Sequence, residues 1–456
     1  MAMHQFDDEV EKLAHQVLEY SLVRLKNDPP LDGPKSPEEL EKLAGQTITA
    51  KGLGGEKTLT LFKEVLARAC ISTDHPRYLA FIPSAPSEYS NLFDLVVGAS
   101  ALYGGSWLEG AGAVFAENQA LRWLADLANM PKQSGGVFVQ GGTIGNLSAL
   151  VVARDVARKK YKDRLDQIRR WVLVASAESH ASIKSAADVM DVHLLLVKPN
   201  QDGVLTGPLC ESAINEFKVT NPDCEIFAVV ATAGSTNLGI IDDLKSIGTL
   251  AKQMEIWFHV DGAYGLAALC SPTTQKLFTG IEMCDSFIVD PHKWLFAPFD
   301  ACALIYRNPR LAKQAHIQKA SYLDPLEEDK EWNPSDYAIH LTRRARGLPF
   351  WFSLAAHGTD EYAKAMDKTM ETAKQAAALI KQNPNLKLLI EPQLSIVAFE
   401  RIGWKSAQYQ EWSDKLLKDQ IGFVTPSAHN RKPILRFAIV NPWTNVSDIE
   451  EILATL

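Results

Sequence analysis

Two periodicities divide this chain. Apolar residues recur at helical spacing through DDEVEKLAHQVLEYSLVRL (7–25), and DPPLDGPKSPEEL, dense in proline and glycine, breaks that pattern. A second helix then opens near Ser36, a residue type suited to an N-cap. From about Gly135 short apolar runs alternate with amphipathic helical stretches: GVFVQ, WVLVA (171–175), HLLLV (193–197), IFAVVA (226–231), IWFHV (256–260), SFIV (286–289) and CALIY (302–306). Runs that are apolar throughout and separated by helices predict a mainly parallel sheet covered on both faces. Beyond Arg346 a long helical stretch (Tyr362 to Lys381) leads to LSIVAFE, ILRFAIV and an amphipathic helix near Ser447 to Leu456. The expected organisation is a helical N-terminal segment (1–100), a large α/β domain with a seven-stranded sheet (101–345) and a small C-terminal α/β domain (346–456).

Composition narrows the function. The chain has 456 residues, enough for one large core and a smaller domain. Its net charge of -8 and scattered basic residues offer no stripe for nucleic acid or a membrane surface. The opening MAMHQFDDEVEKLAHQ has no basic stretch followed by an apolar one, and no later run approaches the length of a membrane span. The expectation is a cytoplasmic protein that contacts no membrane. Its cysteines (Cys70, Cys210, Cys224, Cys270, Cys284, Cys302) form no CxxC pair and precede no zinc-type histidine spacing, so reduced thiols and no metal site are expected.

In an open parallel sheet, ligands collect beyond the carboxyl ends of the strands. GVFVQ is followed by Gly141, Gly142, Thr143, Ile144, Gly145 and Asn146 at a strand-to-helix turn, a place where backbone N–H groups and a helix N-terminus receive an anion. WVLVA leads to His180 at a helix start, IFAVVA to a small, hydroxyl-rich turn containing Thr236, IWFHV to Asp261 and SFIV to Asp290, His292 and Lys293. Singly, each has an ordinary structural explanation: a tight turn, a cap, a loop or an internal salt bridge. Together they supply an anion cup, a flat ring, a carboxylate and a desolvated amine, the set that pyridoxal phosphate requires. Burial is expected to lower the lysine pKa and make the amine nucleophilic.

The motifs HVDGAYG and DPHKW, with His75-Pro76, Gly105-Ser106-Trp107 and Arg343-Arg344-Ala345-Arg346, make this sequence resemble the group II pyridoxal-phosphate decarboxylases over about His75 to Phe352. Within that family it is most similar to the aromatic-L-amino-acid branch. The resemblance implies an aspartate-aminotransferase-type (fold type I) architecture and a homodimer with shared active sites. It further implies that Lys293 forms the Schiff base, that His292 contacts the phosphate and that Asp261 pairs with the pyridine nitrogen. Ala263 would lie against one face of the ring and His180 against the other. Thr143, Ile144 and Gly145 would cup the phosphate with Asp290 nearby, and Thr236 would sit close to ring and substrate. Tyr322, in KASYLDPLEEDKEWNP, falls where the family's mobile loop carries the tyrosine that returns a proton to the α-carbon. A phenylalanine there accompanies aldehyde formation, so tyrosine favours simple decarboxylation.

By family position the side-chain pocket draws on Phe81, Ile82, Pro83 and Ser84, and on Tyr103 and Trp107 of the neighbouring subunit. These are largely aromatic or apolar, and apart from Arg77 neither stretch carries an arginine for a distal carboxylate. The expected reaction is therefore that of a carboxy-lyase, converting an L-amino acid to an amine and carbon dioxide. The expected substrate order is aromatic, then other apolar or cationic, then acidic. An aldehyde synthase or carbon-carbon lyase, or a non-catalytic cofactor-binding protein, are the competing readings. Three positions depart from the family pattern: Gly145 replaces a serine, Asp290 an asparagine and Gly105 a phenylalanine.

Overall fold

The computed structural model describes residues 2–318 and 331–456. Each apolar run of the large domain forms a strand: β1 (Gly135–Val139), β2 (Arg170–Ser176), β3 (His193–Val197), β4 (Cys224–Thr232), β5 (Trp257–Asp261), β6 (Ser286–Val289) and β7 (Cys302–Tyr306). They build one sheet in the order β1-β7-β6-β5-β4-β2-β3. Pairing is parallel from β3 through β6, whereas β7 lies antiparallel to both β6 and β1. Alternate residues of single strands enter different cores: Phe258 and Val260 join one cluster, while Trp257 joins the other with Ile288 and Leu304. Both faces are therefore buried, which is why the strands read as continuous apolar runs.

The N-terminal helices α1 (Asp8–Lys26) and α2 (Pro37–Ala44) follow their caps: Asp7 accepts from the amide of Val10, and Ser36 forms a capping box with Glu39. No residue of α1 is buried. Helices α3 (Gly55–Leu61), α4 (Glu88–Ala99) and α5 (Trp107–Leu127) precede the sheet. Between α3 and α4 the chain departs from the expected helical texture. Leu79 exchanges backbone hydrogen bonds with Phe423 and Ala438 (2.9 Å each), and its side chain joins the core of the C-terminal unit. That unit is an antiparallel sheet of β8 (Leu386–Leu388), β9 (Ile396–Arg401), β10 (Ser427–His429) and β11 (Lys432–Ala438), in the order β10-β11-β9-β8. The long helix Thr359–Gln382 packs against it. Among the described residues no helix is long and apolar enough to cross a membrane.

Candidate active site

Because β1, β2, β5 and β6 point the same way, their carboxyl ends gather at one edge. Register places Thr232, Asp261 and Ile288 in one row across β4, β5 and β6, so Asp261 is the last residue of its strand and Asp290 lies just beyond the next one. Asp290 then opens a single helical turn, Pro291–Trp294, with proline at its first position. Trp294 anchors this turn by stacking on Tyr264 (5.1 Å, 17°) and donating its indole N–H to Thr369 Oγ1 (3.0 Å).

Lys293 projects from that turn with Nζ 3.0 Å from Asp290 Oδ2. Burial alone would lower its pKa, but the carboxylates of Asp290 and then Asp261 outweigh it, and the amine sits above its ordinary value. This corrects the expectation of a lowered lysine pKa, which considered burial without its partners. Burial would likewise raise the Asp290 carboxyl, yet Lys293 holds it below the usual range. His292 is pushed below the ordinary imidazole value, first by burial, so its Nε2 approach of 3.8 Å to Asp290 is no ion pair near neutral pH. Its Nδ1 lies 2.8 Å from the carbonyl oxygen of Ala301 and 3.2 Å from the amide of the same residue.

The glycine turn opens helix α6 (Gly142–Lys160), whose N-cap Gly141 has no side chain to satisfy it. Ile144 and Gly145 donate their amides to Gly141 O (3.0 Å each), which leaves those of Gly142 and Thr143 without a backbone acceptor among the described residues. The amides of this turn that are open to an anion are therefore those of Gly142 and Thr143, ahead of Ile144 and Gly145. A Cβ on Gly142 would lie 3.1 Å from Asp290 Oδ2 and 3.3 Å from Ala263 Cβ, so this turn abuts both residues. Gly145 faces the other way. Its Cβ would meet Ile288 Cγ2 at 2.8 Å and Cys302 Sγ at 2.9 Å, so the absent serine hydroxyl is lost from the sheet side, not from the cup.

Asp261 is buried; Oδ2 accepts from Asn146 Nδ2 (2.9 Å) and Oδ1 from the amide of Ala263 (3.1 Å). His180 caps helix α7 (Ala181–Val189), with Nδ1 accepting from the amide of Ser182 (3.2 Å), and its ring is exposed. Thr236 is exposed in the turn after β4, and among the described residues no hydrogen bond joins its side chain to Lys293 or Asp261.

The predicted pocket residues divide. Phe81 is exposed, with a left-handed φ of 52°, and its carbonyl accepts from Arg436 Nη1 (2.6 Å); Ile82 is half-buried beside it. Pro83 and Ser84 are buried, and the Ser84 hydroxyl is committed to Ala297 O (3.2 Å). That bond, with Ser87 N to Phe296 O (2.9 Å), holds the segment beside the turn that carries Lys293. Tyr103 and Trp107 lie elsewhere, tied to Leu341 O (3.2 Å) and Asn333 Oδ1 (2.8 Å). Tyr103 fills the space where residue 105 would carry a side chain: a Cβ on Gly105 would fall 2.4 Å from its hydroxyl. Tyr322 lies outside the described residues.

Sequence reasoning missed Asn146, His259 and Arg436. Arg436, on β11, is 5% exposed and has no carboxylate partner among the described residues, whereas Arg77 is paired with Asp448 and Glu451. Burial, only partly offset by Tyr264, pushes the Arg436 guanidinium down to about 10. The available signal was an arginine inside the apolar run ILRFAIV.

A family model described as the pyridoxal-dependent decarboxylase conserved domain matches residues 37–402, well over half of the chain. An aromatic-L-amino-acid decarboxylase of Bacillus atrophaeus is 26% identical over 460 residues, 98% of this chain and 94% of that protein. An acidic amino acid decarboxylase of Xenopus tropicalis is 30% identical over 374 residues, 80% of this chain and 72% of that protein. The fold matches the crystal structure of Oryza sativa TDC with PLP and tryptamine at a TM-score of 0.92 and 20% identity, covering 99% and 98% of the two chains. Mouse CSAD matches at 0.88 and 24% identity, covering 98% of each. With an amine, a carboxylate and a glycine turn at the strand ends, the chain belongs to the pyridoxal-dependent decarboxylase family, as a fold type I carboxy-lyase that uses pyridoxal phosphate.

Proposed function

We propose that this protein decarboxylates an aromatic L-amino acid to its amine and carbon dioxide. The residues at the strand ends fit the cofactor chemically. The free amides of Gly142 and Thr143 suit a phosphate, Asp261 a ring nitrogen, and Lys293 an aldehyde carbon. Bound there, pyridoxal phosphate supplies an electron sink for the bond between the α-carbon and the carboxylate. Lys293 would hold the cofactor and exchange it for the substrate amine, with Asp290 stabilising the protonated amine whenever it is released. Ala263 and His180 would bracket the ring, His292 would face the phosphate, and Thr236 would meet the substrate. Tyr322 would return a proton to the α-carbon.

The observation that carries the aromatic assignment is the apolar, partly exposed face of Phe81 and Ile82 beside the Lys293 turn, with Arg77 neutralised by two acids. One observation favours a second reading. Arg436 is a buried cation without an acid partner among the described residues, bonded to Phe81 O, and a cation paired with the departing α-carboxylate would oppose its loss as carbon dioxide. It would therefore serve a distal carboxylate, making acidic amino acids the alternative. Competition between aromatic and acidic L-amino acids decides: the aromatic reading expects kcat/KM at least about 10-fold higher for the aromatic substrate, a difference of about 1.4 kcal/mol. The reverse ratio, lost in Arg436→Met, would establish the acidic one.

The proposed assembly is a homodimer. No residue of helix α1 is fully buried, and it exposes Val17, Leu18, Leu22 and Val23, while α4 and α5 expose Leu92, Leu95, Val96, Leu108 and Phe115. In this reading residues 1–100 pack on the partner, and Tyr103 and Trp107 complete the partner's pocket. Six free cysteines, five of them buried, support a reducing, cytoplasmic setting.

A further inference from the structure

The hydrogen bonds behind Asp261 have one consistent direction. Asp261 closes one end as a carboxylate that accepts, and the Trp257 indole closes the other as a group that only donates. Asn146 must therefore turn Nδ2 toward Asp261 Oδ2 (2.9 Å), which leaves its Oδ1 facing His259 Nε2 (2.9 Å). An amide oxygen only accepts, so His259 carries its proton on Nε2. Its Nδ1 then accepts from the Ser286 hydroxyl (2.8 Å), which itself accepts from Trp257 Nε1 (2.8 Å). Burial holds the His259 imidazole at about 4, so the ring is neutral and Nδ1 is bare near neutral pH.

A second branch leaves the same amide. The other N–H of Asn146 reaches Ser182 Oγ (2.9 Å), and the Ser182 hydroxyl donates to His180 Nδ1 (2.9 Å). That nitrogen already accepts from the Ser182 amide, so His180 keeps its ring proton on Nε2. Asn146, His259 and Ser286 are 1%, 0% and 0% exposed, which leaves no water to substitute for a lost partner.

We propose that Asn146 is a positioning residue whose amide, oriented from behind by buried His259, fixes the direction of the Asp261 carboxylate and the tautomer of His180 together. This rests on the reading of Asp261 and His180 as cofactor contacts. It makes a polar group beneath the site, touching neither substrate nor cofactor, set the cofactor's surroundings.

The test titrates pyridoxal phosphate into apo-protein and follows the absorbance of lysine-bound cofactor, with Lys293→Ala as the blank. Asn146→Leu should weaken affinity about 10- to 100-fold, the range for removing a hydrogen bond to a charged group, and His259→Leu, which leaves the buried Asn146 Oδ1 unsatisfied, by about the same factor. His259→Gln, which can still donate to Asn146 Oδ1, should stay within about threefold of wild type. Leucine variants that bind like wild type, or a glutamine variant as weak as His259→Leu, would overturn the inference. Should the leucine variants fail to fold, neutron diffraction from the wild-type apo-protein decides it. Hydrogen on His259 Nε2 with Nδ1 bare supports the chain, and the opposite tautomer refutes it. A wild-type protein showing no lysine-bound absorbance would instead remove the proposed cofactor contacts, while the neutron map would still test the network.

Discussion

At the residue scale, Lys293 and Asp290 are held by each other against their burial, whereas burial governs the buried histidines. His259 illustrates the sign. Its folded value near 4 lies below the ordinary 6.5, so its contribution to stability is complete above about pH 6.5 and is lost as pH falls toward 4. The loss is on the order of 3 kcal/mol for this group. His340, pushed to about 3 by burial and by Arg343, adds to the same slope. Chemical denaturation between pH 7 and 4 should therefore show falling stability in the wild type and a shallower fall in His259→Gln. Tyr322→Phe should divert product from amine toward aldehyde, read by quantifying both; unchanged amine output would refute a proton-donor role. Asp261 and Lys293 were legible because charge at the end of an apolar run is conspicuous. Asn146 and His259 were not: one reads as an ordinary helix-start amide and the other as a strand interior residue, and only the register of the sheet and the packing of α6 join them.

At the element scale, seven strands were legible from apolar runs alone, because burial on both faces removes polar alternation. Direction was not. An apolar run carries no polarity, so the antiparallel setting of β7 appears only in the pairing with β1 and β6. The segment around Leu79 was also hidden, since its partners Phe423 and Ala438 lie far away in sequence. Another long-range tie holds the Tyr103 stretch: Arg343 grips Glu117 through two bonds (2.7 and 2.8 Å) and also donates to Gly104 O. Both side chains are almost fully buried, so Arg343→Met leaves an uncompensated carboxylate. It should cost about 3–5 kcal/mol, measurable as a shifted denaturant midpoint. A shift under about 1 kcal/mol would show that the pair does little to hold this region.

At the scale of the whole molecule, the candidate site at the strand ends is formed within one chain, while two of the predicted pocket residues are tied to a different segment. The proposed dimer, in which each subunit would complete the other's pocket, would account for that separation and for the exposed apolar residues of α1. Size-exclusion chromatography with parallel assays should show activity only in the dimer fraction, and an active monomer would contradict it. The most direct test of the central claim is mass balance. Holoenzyme supplied with an aromatic L-amino acid should release carbon dioxide and the matching amine in equal amounts, and Lys293→Ala should slow both by about 1,000-fold or more. Equal release from Lys293→Ala at the wild-type rate, or bound cofactor with no carbon dioxide from any aromatic or acidic amino acid, would contradict the account.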